Sequence, residues 1–215
     1  MKILITDDHS VVRQGYASLL PTVIEPCEII EASSGEEAIE KFTSHSPDLL
    51  IMDVNLPGVS GIEAATQILK DQPDAKILFF SMYDEAPIVK QALDAGAMGY
   101  ITKSGSPKVL LEAVTKINRG EIFIEYDLVM KLALNTQDVA DERLRELTQR
   151  EFEVFVMLAR GQSNQHIADT LNISIKTVSN YVTTLKSKLS LSSTAELVHM
   201  AVEAGVVKFA PGPSE

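Results

Sequence analysis

The sequence predicts two folds in one chain. The first is an α/β unit on a doubly wound, five-stranded parallel sheet. The second is an all-α unit of four helices containing a helix-turn-helix. Three observations carry this. Short apolar runs alternate with helical patterns from residue 2 to 119, which implies βαβ units and a parallel sheet with helices on both faces. Residues 148 to 208 show helical periodicity throughout, with sharp start and stop signals. Charge also separates the halves. The formal net charge is -11, yet residues 148 to 208 hold six Lys or Arg against five acids, so the acidic excess lies before them. Two electrostatically different objects imply two domains with different partners. The predicted boundaries are 1–120 for the first domain, 121–146 for a linker carrying a helix, 147–209 for the second domain and 210–215 for a tail.

The strands are expected at 2–6, 28–32, 48–53, 76–81 and 98–101, with helices near 9–20, 35–44, 61–71, 85–95 and 107–119. Ser34 and Glu37 have capping-box spacing. Ser106-Pro107 reads as an N-cap followed by Pro at the first helical position. Gly96 and Gly120 follow the last periodic residues of their helices. Residues 121–146 turn polar and acidic, with a helix near 128–134 that serves either a linker or a dimer contact. Thr148 and Glu151 form a capping box for a helix that runs to Gly161. Ser163 caps a helix over 164–170, and Leu171-Asn172-Ile173 makes a turn. Ser174 caps a third helix from Ile175 to about Leu189, and Ser193 and Glu196 open a fourth that ends at Gly205. Two short helices joined by a three-residue turn match the helix-turn-helix.

Composition excludes several classes. With one cysteine, Cys27, the chain forms no internal disulfide and no cysteine-based zinc site. His9, His45 and His199 have no Cys or His partners at metal spacing and are read as structural. The apolar run at the start is too short for a signal peptide, and no stretch approaches membrane-spanning length. The expected location is the cytoplasm, with no membrane partner.

The chemistry concentrates at strand ends. Asp53 follows the apolar run Leu49 to Met52 and precedes the breakers Pro57, Gly58 and Gly61. A carboxylate there either caps the next turn or lines a ligand site, because open α/β sheets bind ligands at the carboxyl ends of their strands. Asp7 and Asp8 follow the first strand, Ser81 ends the fourth and Lys103 follows the fifth. All five therefore converge on one sheet edge. Three close carboxylates repel one another, and a hard divalent cation such as Mg2+ relieves that. Lys103 and the Ser81 hydroxyl suit the oxygens of a tetrahedral anion, which makes Asp53 a phosphoryl acceptor.

With Asp7-Asp8, Asp53 followed by Leu56-Pro57-Gly58, Ser81, and Lys103 with Pro107 downstream, residues 1 to 119 resemble the flavodoxin-like receiver domain of two-component response regulators. The resemblance implies that Asp53 is the phosphoacceptor and that a sensor histidine kinase is the donor. It implies that Asp8, Asp53 and the Asn55 backbone carbonyl hold Mg2+ with support from Asp7. Lys103 would pair with the phosphoryl group, and Ser81 and Tyr100 would form a switch pair. Serine stands where threonine is also common, and Leu56 where methionine is frequent.

In the third helix of the second half, Val178, Val182, Leu185 and Leu189 share one face, while Lys176, Ser179, Asn180, Thr183 and Ser187 share the other. The exposed set is rich in small hydrogen-bonding residues, as expected of a helix that enters the major groove. The run L-T-Q-R-E-F-E-V-F, with A-R-G-Q-S-N-Q-H-I-A-D-T-L-N-I-S-I-K-T-V-S-N-Y after it, resembles the LuxR-type DNA-binding domain. The whole chain then resembles a NarL/FixJ-type response regulator. Lys176 and Thr177 would meet phosphates, Ser179, Asn180 and Thr183 would face base edges, and Lys186 and Lys188 would add backbone charge. Tyr181 stands where the family usually has histidine, and His166 where it usually has glutamate. No Arg or Lys occupies a base-facing position, so bidentate guanine readout is not expected. Modest positive charge implies that a homodimer binds double-stranded DNA.

Two other classes are weighed. Aspartate-nucleophile phosphatases place a second Asp two residues after the nucleophile, and here that residue is Asn55. A flavin-binding module needs a phosphate loop after the first strand, where Asp7-Asp8 would repel the phosphate. The expectation is a phosphorylation-controlled transcriptional regulator. It accepts and loses its own phosphoryl group, has no separate substrate and is not an enzyme.

Overall fold

The computed structural model describes residues 1–134, 142–171, 173–204 and 206–207. They form two compact units, and the chain divides between Leu132 and Ala133. In the first, strands β1 (Lys2–Thr6), β2 (Glu28–Ala32), β3 (Leu49–Met52), β4 (Ile77–Ser81), β5 (Gly99–Thr102) and β6 (Phe123–Ile124) make one sheet in the order β2-β1-β3-β4-β5-β6. Every pairing is parallel. The sheet thus has six strands, not five. The sixth is two residues long, too short to show a pattern, and the sequence reading had placed it in the linker.

The helices are α1 (Ser10–Val23), α2 (Gly35–His45), α3 (Gly61–Asp71), α4 (Ala86–Asp94), α5 (Pro107–Asn118) and α6 (Tyr126–Leu134). Side chains alternate across a strand. Ile3, Ile5, Leu49, Ile51, Leu78, Phe80 and Ile101 accordingly pack with Leu20 of α1 and with Leu110, Ala113, Val114 and Ile117 of α5. Leu4, Leu50, Met52, Phe79 and Tyr100 are buried on the other face. Both faces are dry, which is why β3 reads as an unbroken apolar run. Helix α1 continues through Pro21, past the expected stop at 20. Pro21 sits in its last turn, where it removes one i→i−4 hydrogen bond just before the helix ends.

The caps carry more detail than the spacing shows. Ser34 accepts from Glu37 N, but the Glu37 carboxylate takes the N–H and hydroxyl of Ser33. A full capping box instead joins Ser60 and Glu63 at the start of α3, where none was expected.

In the second unit, α7 (Gln149–Ala159), α8 (Asn164–Thr170), α9 (Ile175–Lys188) and α10 (Thr194–Glu203) follow a short 3-10 helix at Glu142–Glu146. Thr148, Ser163, Ser174 and Ser193 are the N-caps, each accepting from a backbone N–H. Phe152, Phe155, Ile167, Val178, Leu185, Leu189, Leu197 and Ala201 are buried. An ion pair the sequence reading passed over lies among them. Arg150 Nη1 donates to Glu153 at 2.8 Å and Nη2 to the Leu171 carbonyl at 2.9 Å, bracing the turn after α8. Arg143 donates to the Leu189 carbonyl at 2.6 Å, so this part of the expected linker is tied to α9. The linker residues 135–141, Asn172 of the turn, the helix stop Gly205 and the tail from 208 lie outside the described residues.

Candidate functional site: an acidic sheet edge and an exposed helix face

The order β2-β1-β3 reverses the direction of chain progression between β1 and β3, which makes a topological switch point. Thr6 pairs with Met52, so the residues that follow, Asp7 and Asp53, leave the sheet side by side. Asp53 N donates to the Thr6 carbonyl at 2.9 Å. Gly61 fixes the turn beyond Asp53, since a Cβ there would collide with the Asp53 carbonyl oxygen. At the other flank, Ser81 pairs with Thr102, and Lys103 N donates to the Ser81 carbonyl at 2.8 Å.

The convergence expected from strand ends is present. Lys103 Nζ lies 2.5 Å from Asp53 Oδ2 and 2.7 Å from Asp7 Oδ2, and all three side chains are under a tenth exposed. Burial pushes the Asp53 carboxyl up to about 6, opposed by the Lys103 ammonium and the Ser81 hydroxyl and reinforced by Asp7. Burial works against the Lys103 charge, but Asp53 and Asp7 outweigh it and hold the ammonium above its ordinary range. Asp53 is thus mostly ionised at neutral pH, in contact with a lysine that stays charged.

Asp8 stands at the mouth of the site, about a fifth exposed. Its Oδ1 atom is closed off from solvent and accepts no well-aligned hydrogen bond, although His9 Nδ1 is 2.8 Å away. Ligand atoms of Asp7, Asp8, His9 and Asp53 lie within 4.8 Å of one another. Oxygen donors at that spacing, one of them unsatisfied, fit a hard divalent cation. Beyond the structural role expected of it, His9 sets its exposed ring against the acidic pair. Arg13, which no sequence motif singles out, donates to the Asp7 carbonyl at 2.6 Å and to Glu31 at 3.0 Å, anchoring the loop after β1. Asn55 N points back at Asp53 Oδ1 at 3.4 Å.

Ser81 is fully buried, as is the ring of Tyr100. The Tyr100 hydroxyl donates to the Tyr83 carbonyl at 2.8 Å, and its ring stacks near Phe79. Burial raises its pKa well above the ordinary value. The aromatic partner of the expected switch pair is turned inward here. Tyr83, the acceptor, was missed because a backbone carbonyl leaves no mark in sequence.

On α9, Val178, Leu185 and Leu189 are buried, and Lys176, Ser179, Asn180 and Thr183 are exposed. Ser179 Oγ donates to the Ile175 carbonyl and Thr183 Oγ1 to the Ser179 carbonyl, each at 3.0 Å. Thr177 is half-buried and shares a hydroxyl contact with the cap Ser174 at 2.8 Å. Lys186 is partly exposed. Lys188 departs from expectation. Its ammonium lies 2.8 Å from the Glu151 carboxylate, inside the capping box of α7, and serves the packing of α9 on α7. Tyr181 is half-buried, and exposed His166 contributes its N–H to the Ser163 cap at 3.2 Å.

Residues 3–115 match the model for the response regulator receiver domain, more than half of the chain, and residues 145–201 match that for bacterial regulatory proteins of the luxR family. The chain belongs to the LuxR-type response regulators. Its likeness to such regulators extends end to end. It is 47% identical over 213 residues to the transcriptional activator protein ExaE of Pseudomonas putida, covering 98% of this chain and 100% of that protein. The response regulator protein VraR of Staphylococcus aureus is 38% identical over 208 residues, covering 97% and 99%. Among solved structures, RcsB of Salmonella enterica serovar Typhimurium, bound to the promoter rprA in the presence of phosphomimetic BeF3-, is similar. It has a TM-score of 0.62 and 25% identity over 93% of this response regulator and 97% of that chain. A LuxR-family regulator from Aurantimonas has a TM-score of 0.61 and 33% identity, covering 64% of this chain and 98% of its own. Among the described residues, no helix of this regulator is long and apolar enough to cross a membrane.

Proposed function

We propose that this regulator takes a phosphoryl group onto Asp53 from a sensor histidine kinase in the cytoplasm and, so loaded, binds operator DNA as a homodimer. The observation that supports it most is the buried Asp53 carboxylate in direct contact with Lys103 and within reach of Ser81 and Asp7.

In this reading an Asp53 oxygen attacks phosphorus, a new O–P bond forms, and the P–N bond of the phosphohistidine donor breaks with its electron pair on the imidazole. Lys103, held charged by two carboxylates, releases Asp7 and meets the phosphoryl oxygens. Ser81 donates its hydroxyl to the same group. Asp8, Asp53 and the Asn55 carbonyl would hold Mg2+, with Asp7 in support. Bound there, the ion offsets the charge gathered on the carboxylate and phosphoryl oxygens. Asn55 stands where a phosphatase needs an acid, so the chain acts on its own acyl phosphate and has no separate substrate.

The DNA face is Lys176 and Thr177 toward phosphates, Ser179, Asn180 and Thr183 toward bases, and Lys186 as added backbone charge. Lys188 leaves this set, being committed to Glu151. Ser179 and Thr183 turn their hydrogens to helix carbonyls, so outward they present acceptor oxygens and one methyl group. Those suit amino groups and thymine methyls better than guanine O6 and N7.

The test is intact mass after incubation with Mg2+ and acetyl phosphate, followed by operator binding. Wild type gains one phosphoryl group and binds more tightly, and Asp53→Asn does neither. An Asp53→Asn protein that is still modified at the wild-type rate would refute the assignment.

A further inference from the structure

The two loops that carry the site are both latched to the same helix, and that helix has no place in the chemistry. Glu125, which precedes α6 and caps it through its carbonyl, accepts from Thr102 N at 2.9 Å and from Thr102 Oγ1 at 2.8 Å. Thr102 is the residue before Lys103. Six residues on, Lys131 of α6 pairs with Asp84. Asp84 follows Tyr83, whose carbonyl holds the Tyr100 hydroxyl and whose N–H points at Ser81 Oγ. Helix α6 is therefore tied near one end to the Lys103 loop and near the other to the Ser81 loop. The chain runs on from α6 toward the DNA-binding unit.

We infer that α6 is the element that reads the phosphorylation state, through Glu125 on one loop and Lys131 on the other. This rests on the phosphorylation proposed above and adds a route by which it reaches α6. The residues that must move on loading are Lys103 and Ser81. Each lies within three residues of an α6 latch, so a shift toward the phosphoryl group draws Thr102 and Asp84 away from Glu125 and Lys131. The Lys131–Asp84 pair is nearly half exposed and weak by itself. A weak contact broken in only one state is enough to bias a two-state equilibrium.

Two measurements on the full chain test this, with beryllofluoride and Mg2+ as the probe. In amide hydrogen exchange, adding the probe should speed exchange in the first turns of α6 by about threefold or more, because local opening is read directly there. Glu125→Ala and Lys131→Ala should show fast exchange before the probe is added and little further change. In operator binding, both variants should still load the probe but lose most of the probe-dependent gain. Lys131→Asp should behave like Lys131→Ala, and Asp84→Lys combined with Lys131→Asp should restore the gain, a rescue that general destabilisation would not give. Unchanged α6 exchange in probe-loaded wild type would overturn the inference, as would a full wild-type gain in both single variants. Altered α6 exchange without any gain in DNA affinity would uphold the latch and refute instead the proposed control of DNA binding.

Discussion

At the sheet edge, Asp7 and Asp53 are buried and share one ammonium, that of Lys103, with Asp8 alongside. In the second unit, Arg150 and Glu153 are buried against each other, and Arg150 also donates to the Leu171 carbonyl. Both clusters bear the cost of removing charge from water. The first leaves negative charge uncompensated and a carboxyl pushed up to about 6. The second pairs opposite charges and is hydrogen-bonded. Excess buried charge invites a cation and a reaction, whereas matched buried charge only holds the backbone. The difference separates a site from a brace even though both use the same residue types.

The largest effects fall on these clusters. Asp53→Asn should abolish phosphoryl uptake while leaving the fold intact. It also relieves the burial of a charge. The folded-state pKa is raised, so stability is fully present below the ordinary carboxylate value and declines as pH rises through about 6. In chelator, calorimetry at pH 8 should find the first unit more stable in Asp53→Asn than in wild type, by roughly 1–3 kcal/mol, with the gap closing by about pH 4. Equal stabilities at both pH values would mean that Lys103 fully compensates Asp53. The brace should respond the opposite way. Arg150→Ala removes a charged partner of the fully buried Glu153 and should cost the second unit roughly 3–5 kcal/mol. Replacing both partners with apolar residues should recover much of that loss, and failure to recover would show that the Leu171 carbonyl bond carries the effect.

The same contrast explains what the sequence revealed. Strand-end residues were legible because a parallel sheet forces Asp7, Asp53, Ser81 and Lys103 to one edge whatever the side-chain details. Caps were legible because Thr148–Glu151 and Ser174 act within four residues. Four features were hidden for physical reasons. Strand β6 is two residues of edge pairing after a helix, without a period of its own. Arg150 and Glu153 have the i, i+3 spacing of an ordinary surface pair, and only tertiary burial turns them into a brace. Lys188 reads as a free cation because its partner Glu151 lies on another helix. Glu125 and Lys131 sit in a stretch that composition marks as linker, although they reach back to the site's own loops.

On α9 the expected effect is smaller and depends on DNA sequence. Asn180 is exposed among residues that offer acceptors. Asn180→Ala should cost roughly 1–3 kcal/mol on the true operator and little on random DNA, as loss of a bidentate adenine contact would. Titration against both DNAs checks this, and an equal loss on both would remove Asn180 from the base-reading set.

Lys188 carries the smallest effect and the sharpest contrast between holding and binding. Burial raises the Glu151 carboxyl, but the Lys188 ammonium and the Thr148 N–H and hydroxyl outweigh it, so the net shift is downward. A depressed carboxylate contributes stability above its unfolded pKa and loses it as pH falls through the folded one. Lys188→Met should therefore lower second-unit stability at pH 7 by up to about 1 kcal/mol, discounted because the lysine is partly exposed. The deficit should shrink as pH falls through the lowered folded-state pKa of Glu151, below which the carboxyl is protonated with or without its partner. A phosphate-binding lysine would show itself elsewhere. Lys176→Ala and Lys186→Ala should each make the salt dependence of DNA affinity shallower by about one unit, while Lys188→Met leaves the slope unchanged. If Lys188→Met flattens the slope by the same amount and leaves the pH profile of stability untouched, the ammonium faces DNA and its contact with Glu151 is incidental.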